Sequence, residues 1–391
     1  MRQQNKPIII SIIIGVVIIG GTLAYFTTNI PEESITALIS YRAIDEELKQ
    51  KDGLAVIDIN PNSETFGDIL QDAPVGEGVL MHHSYYNSDG SKLYNTALAG
   101  ERLYRVNILD NTIFDITPIE TGSCMVGEDM YFSKDGAKFY LTCMGSDNVM
   151  VFDAKTDQII NEISTNHEQN QDAFIKYPHG ISADEKINRM IVTQTVSPAL
   201  DDPQSGVTIV EYSTGKILST IKLSKNADTP SAPVEVMFHP EKPIAYVTGM
   251  LDGTIWVLVW DEQTKSFEPK LVDDGTVREH TWPLGLSIGP KGNLYVTFAS
   301  PGVVNEYSLQ NPEQPELLRT LPAEPGAHHI LFSEDGRYMF VQNNLLNLDG
   351  LNSGTISVVD LNTGTLTATL DDLVEQGMMI ESMELINGKH Q

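Results

Sequence analysis

Past residue 50 the chain keeps returning to one pattern of apolar and polar positions. An apolar strand meets a turn of the Ser-x-Asp-Gly kind, then a second strand rich in Tyr, Val and Thr, then two more alternating strands. Alternation buries one face of each strand, and closely spaced turns leave only antiparallel neighbours, so the pattern predicts a repeated four-stranded meander. The strand-turn-strand units read HHSYYNSDGSKLYNTAL from His82, EDMYFSKDGAKFYLTC from Glu128, HGISADEKINRMIVTQ from His179, VEVMFHPEKPIAYVTG from Val234, PLGLSIGPKGNLYVTF from Pro283 and HHILFSEDGRYMFVQN from His328. Third and fourth strands follow, as in TISVVDLNTGTLTATL from Thr355, where a Thr-Gly turn sets the hairpin.

A seventh unit comes from the two ends. SITALISY and GLAVIDINPNSETFGDIL lack an inner strand, and MMIESMELINGK is an inner strand without partners. Joining them closes a ring and removes its free edges. The expected fold is therefore all-β, a seven-bladed β-propeller with a closing blade of mixed N- and C-terminal origin. It occupies 30–391 as one domain, with 1–29 as a cytoplasmic stub and membrane anchor.

That anchor is PIIISIIIGVVIIGGTLAYF from Pro7, an uncharged run about long enough to cross a hydrocarbon core of ~30 Å as a helix. Arg2 and Lys6 precede it and no Lys or Arg follows until Arg42, which puts the N-terminus in the cytoplasm and the body outside. A cleaved signal peptide is the competing reading, and it leaves the body in the same extracytoplasmic compartment, secreted rather than anchored. Charge narrows the partners further. With 53 Asp and Glu against 25 Lys and Arg, the net charge of -28 repels phosphate backbones, so nucleic acid is excluded as a partner. The acidity by itself requires no cationic partner and also serves solubility. The two cysteines, Cys124 and Cys143, lie outside any CxxC motif and read as a local disulfide or as two free thiols.

Several segments, taken in order, resemble the selenium-binding protein and methanethiol oxidase family, within the broader YVTN-type propellers. They are DGLAVIDINPNSETFGDIL from Asp52, MHHSYYN from Met81, PVEVMFHPEKPIAYVTGMLDGTIW from Pro233, VNEYSLQNPEQPELLRTL from Val304 and the last full blade around Leu331 to Leu361. The resemblance implies a propeller and a copper-dependent oxidation of a small sulfur compound. The family's His-His segment runs on into a Cys-x-x-Cys pair, whereas here Tyr85, Tyr86 and Asn87 lead to Ser88 and Asp89.

Chemistry concentrates where the inner strands begin, because equivalent residues of radiating blades form a ring at one end of the central channel. Superposing Leu93, Phe139, Met190, Ala245, Leu294 and Met339 puts His82 in register with Glu128, His179, Val234, Pro283 and His328. One step on, His83 matches Asp129, Gly180, Glu235, Leu284 and His329. Superposing the turns at Asp89-Gly90 and Asn387-Gly388 adds Ile380 and Glu381. Five of the nine histidines thus share two ring positions with several carboxylates. Imidazoles suit copper, zinc, iron or nickel, and carboxylates serve as ligands, as acceptors that orient imidazoles, or as bases. The expected metal ligands are His82, His83, His179, His328, His329 and Glu381, with copper first among transition metals and Glu128 and Glu235 as proton acceptors. Because side chains alternate along a strand, one member of each His pair should ligate while the other packs. A lone His near a strand start is usually structural, and a polar ring around water without metal is the alternative. His239 in FHPEKP reads as a turn residue, and His280 as a loop residue near the channel mouth. The insertions Gln169 to Tyr177 and Val196 to Ser205 are expected to cover the channel.

Two functions fit. One is an anchored copper-dependent oxidoreductase acting on a small thiol in the channel mouth, its redox partner unspecified. The other is a non-catalytic surface propeller that binds metal, protein or glycan.

Overall fold

The computed structural model describes residues 35–44, 51–109, 111–165 and 170–386. They form seven four-stranded antiparallel sheets, and the inner strands Met81–Tyr86, Gly127–Phe132, Pro178–Asp184, Pro233–Phe238, Thr281–Ile288, Ala327–Phe332 and Met378–Leu385 line one central channel. The ring closes as expected. Met378–Leu385 pairs with Thr36–Ala43, which continues into Asp52–Asp58 and Ile69–Gly76. The transmembrane segment expected at Pro7 to Phe26 lies outside the described residues, and no described helix is long and apolar enough to cross a membrane.

Burial follows position in the blade. The second strands, such as Ile244–Gly249, are buried throughout because both faces meet neighbouring sheets, while the outermost, such as Gln158–Ser164, are mostly exposed. Apolar clusters fill the gaps between adjacent blades. In one, Phe139 and Phe152 stack at 4.5 Å beside Tyr94, Leu141 and Met150. The same cluster contains the bond between Cys124 and Cys143, with Cα atoms 5.2 Å apart, so the disulfide alternative holds.

A belt of hydroxyls ties the inner strands together. Thr142 Oγ1 accepts from the Asp129 amide at 2.9 Å and donates to the His179 carbonyl of the next blade at 2.6 Å. Thr193, Thr248 and Thr297 repeat both contacts, reaching the carbonyls of Val234, Leu284 and His328. Gln342 replaces threonine and reaches the Ile380 carbonyl, and Ser382 reaches that of His82. Thr248 and Thr297 are the Thr of Tyr-Val-Thr second strands, and Thr142 and Thr193 hold the same place in Tyr-Leu-Thr and Ile-Val-Thr. A short side chain with both a donor and an acceptor is what satisfies two backbone groups that the ladder leaves free.

The belt also corrects the register of two blades. Leu284, not Pro283, occupies the place of His82, and Gly285, not Leu284, that of His83. The turn in this blade is one residue shorter, closing from the Gly289 amide to the Asn293 carbonyl where others span a further residue, as from Ser133 to Lys138. The closing-blade assignment also moves by one residue. Ser40 is its belt hydroxyl, donating to the His82 carbonyl and lying opposite Ser382, so Glu381, not Ile380, takes the place of His82 and Ser382, not Glu381, that of His83. The turn at Asn387-Gly388 lies outside the described residues.

Candidate metal centre

Each inner strand enters the channel through the same local geometry. A residue at or just before the strand's start is left-handed, with positive φ at Leu80, Val126, Tyr177, Ala232, Trp282, Gly326 and Gly377. The pairing with the second strand then breaks. Register shifts fall between Met81 and Ser84, Gly127 and Met130, Pro178 and Ile181, Pro233 and Val236, Pro283 and Leu286, and Ala327 and Ile330. These irregularities enclose the two ring positions. A bulge suspends the alternation of a regular strand, so both residues reach the channel end of the blade.

The expectation that one histidine of each pair points away is therefore corrected. The rings of His82 and His83 stack with centroids 3.8 Å apart, and those of His328 and His329 lie 4.2 Å apart. His83 is the hub. Its ring lies 4.6 Å from that of His329, 5.7 Å from His179 and 5.8 Å from His328. Two sets of potential ligand atoms converge to within 4.8 Å, one from His83, His328 and His329, the other from His82, His83 and Glu128. The Nε2 atoms of His83, His328 and His329 are buried without a hydrogen-bond partner.

Carboxylates close the group on one side. Glu128 Oε2 stands 3.0 Å from His82 Nε2 and 3.5 Å from His179 Nε2, and Glu235 Oε1 lies 3.5 Å from His179 Nδ1. Glu381 is buried in the ring but faces Arg42 Nε at 3.0 Å, and it belongs to neither converging set. Burial dominates the protonation of every member. It lowers His82 to about 3, helped by the Arg42 guanidinium, His328 to about 3 and His179 to about 4. His83 and His329 fall well below the usual imidazole value through burial and their imidazole neighbours. Burial also raises Glu128 to about 7 against the pull of His179, and pushes Glu235 well above the carboxylate range with help from Asp129 and Glu128. The centre thus holds neutral imidazoles, which is the ligand form for a transition metal.

A cavity of about 120 Å³ opens onto His82, Glu128, His179 and His328. Apart from Thr195 its other walls are apolar, including Met250, Trp282 and Leu284. Val196, Leu200 and Pro203 come from the insertion expected to cover the channel. The described part of the other insertion does not line the cavity. It packs along its own blades, with Ile175 buried and the Phe174 carbonyl accepting from Gln194 and Thr208.

Against known proteins, no family model matches the chain. A methanethiol oxidase of Hyphomicrobium sp is 21% identical over 367 residues, covering 85% of this chain and 82% of that protein. The X-ray structure of a hypothetical selenium-binding protein from Sulfolobus tokodaii superposes with a TM-score of 0.72 at 13% identity, covering 91% of this chain and 94% of that one. The chain resembles the methanethiol oxidase and selenium-binding proteins along most of its length. The ring itself is a widely shared frame. A periplasmic gluconolactonase from Pseudomonas aeruginosa gives a TM-score of 0.65 at 13% identity over 91% of this chain and 99% of its own.

Among the described residues, the two other histidines and several residues with no earlier assignment complete the picture. His239 accepts from the amides of Glu241 and Lys242, as a turn residue does. His280 packs against Phe298 at 5.5 Å and does not line the cavity. Leu345, Leu346 and Leu348 line the cavity from a loop that the repeat pattern does not single out. Their signal in the sequence is an apolar run, LLNLDGL, between two strands where a polar turn is the norm. Arg42 and Tyr85, which contact ring residues, carry no motif.

Proposed function

We propose that this chain is a copper-dependent oxidoreductase of small sulfur compounds. The observation that carries the reading is that His83, His328 and His329 bring ligand atoms within 4.8 Å of one another, each with a buried, partnerless Nε2, beside a largely apolar cavity. A buried polar atom without a partner costs about 1–3 kcal/mol, so three on adjacent rings mark a place for a ligand. The residues fit a metal. His83, His328 and His329 would hold it, with His82, His179 and Glu128 at its flank. Imidazole-rich sites favour copper, which when bound supplies one-electron redox chemistry and affinity for a thiolate.

The chain's own residues supply the rest. The apolar walls admit a small reduced sulfur compound and exclude water and charged thiols. Glu128, with its proton affinity raised toward neutrality, is placed to accept the thiol proton, while Glu235 behind His179, pushed well above the carboxylate range, keeps its own proton. The likeness to methanethiol oxidase supports this chemistry, and the absence of the Cys-x-x-Cys pair sets the chain apart within it. The body stands outside the cytoplasm, held by the hydrophobic segment at Pro7 to Phe26, and the Cys124–Cys143 disulfide agrees with an oxidising compartment.

Elemental analysis of the full chain purified in detergent tests this reading, followed by oxygen uptake with methanethiol and longer alkyl thiols. About one copper per chain, lost in a His83→Ala, His328→Ala, His329→Ala variant, is expected. Protein that carries no metal and refuses added copper overturns it and leaves a binding scaffold.

A further inference from the structure

Tyr85 is a phenol wedged between the histidine hub and a carboxylate. Its hydroxyl donates to Asp129 Oδ1 and stands 3.0 Å from His83 Nδ1. Asp129 is held as an acceptor on both oxygens, since Oδ1 also takes the Met130 amide at 3.0 Å and Oδ2 takes the Ile181 amide of the next blade at 3.1 Å. A phenol has one proton. With that proton given to Asp129, the Tyr85 oxygen can only accept from His83, which places the His83 hydrogen on Nδ1 and leaves the Nε2 lone pair free. That Nε2 atom is the buried, partnerless one.

We infer that Tyr85 and Asp129 are positioning residues that lock the hub imidazole in the tautomer whose Nε2 faces the centre. The inference rests on the metal reading for its purpose, though the tautomer itself does not require a metal. Three elements contribute to the lock. Tyr85 belongs to the same inner strand as His83, Asp129 to the next, and Ile181 to the one after, so the relay spans three blades. His83 and Tyr85, two residues apart on one strand, are placed on the same face. Phenylalanine at 85 would keep the ring and remove only the relay, leaving His83 Nδ1 without its acceptor and Asp129 with its two amide donors alone.

The experiment uses the full chain in detergent, stripped of metal, with ¹⁵N-labelled histidine. Wild type should show His83 protonated at Nδ1. Tyr85→Phe and, independently, Asp129→Asn should shift it toward the Nε2–H form. Cu(II) titration of the same three proteins should show a 10–100-fold weaker affinity in both variants and an altered copper EPR spectrum. Circular dichroism and thermal melting separate this from misfolding, and Asp129→Glu should recover part of the affinity. If both variants keep the Nδ1–H tautomer, the wild-type affinity and the wild-type EPR spectrum, the lock is wrong. If wild type binds no copper while its tautomer shifts on Tyr85→Phe, the metal reading fails and the lock stands.

Discussion

His82 and His83 are consecutive in the chain, yet their rings stack 3.8 Å apart and 21° from parallel, both buried beside the channel. In a regular strand they would face opposite sides of the sheet. The register shift between Met81 and Ser84 removes that constraint, and five other blades carry the same shift. The fold thus offers two ring positions per blade, and this chain fills them with imidazoles and carboxylates in the blades nearest His83.

Close approach of neighbouring inner strands makes Gly285 sensitive. A Cβ there would stand 2.3 Å from the His328 carbonyl oxygen. Gly285→Ala should cost roughly 1–3 kcal/mol in denaturant unfolding. It should also weaken copper binding by displacing His328. Unchanged affinity would show that the centre does not depend on that carbonyl's position.

The hydroxyl belt predicts a conservative series. Thr142→Val keeps the shape but strands the Asp129 amide and the His179 carbonyl, and should destabilise by about 1–3 kcal/mol. Thr142→Ser should recover most of the loss. Chemical unfolding of the three proteins decides it.

Acid stability of the metal-free protein has a definite sign. The buried imidazoles stay neutral in the fold below their ordinary 6.5, so below that pH the unfolded chain binds more protons and stability falls as pH falls, down to about 3 for His82 and His328. Glu128 and Glu381, both raised to about 7 from 4.5, act oppositely, since the fold holds protons the unfolded chain has released, and stability falls as pH rises across that interval. The two trends oppose each other above pH 4.5. Below it these two glutamates are protonated in both states and the imidazoles act, each at about 1.4 kcal/mol per pH unit while it stays neutral in the fold. They are joined by carboxylates such as Glu306, which, against the effect of burial, hydrogen bonds hold below its ordinary value. Unfolding free energies should therefore drop between pH 4.5 and 3, and His328→Gln should flatten the slope.

Reduction of Cys124–Cys143, or Cys124→Ser with Cys143→Ser, opens a loop of sequence separation 19 and should cost roughly 3 kcal/mol. The bond lies about a cluster that includes Leu141 and Phe139, so the melting temperature should fall without loss of the fold. An unchanged melting temperature would refute this.

Glu128→Gln should lower thiol-dependent oxygen uptake about a hundredfold if Glu128 takes the thiol proton. Turnover at the wild-type rate would assign that role elsewhere.

Much of this was legible before any coordinates. Period-two alternation and turn chemistry determined the blades, and the unpartnered strands at both ends determined closure, because an open ring would leave sheet edges exposed. Repetition also made equivalent positions countable, so His82, His179, His328 and Glu128 could be placed at one end of one channel. Side-chain direction could not be read the same way. Whether His83 and His329 turn inward depends on bulges, which break the periodicity that counting relies on. One shortened turn moved Leu284 into the place assigned to Pro283. The pairing of Glu381 with Arg42, the relay from Asp129 through Tyr85 to His83, and the leucines of the loop at Leu345 join residues distant in the chain or in different blades. Local sequence specifies strands and turns because those are short-range preferences of the backbone. Which nitrogen is left free in a buried cluster is decided only when the blades pack.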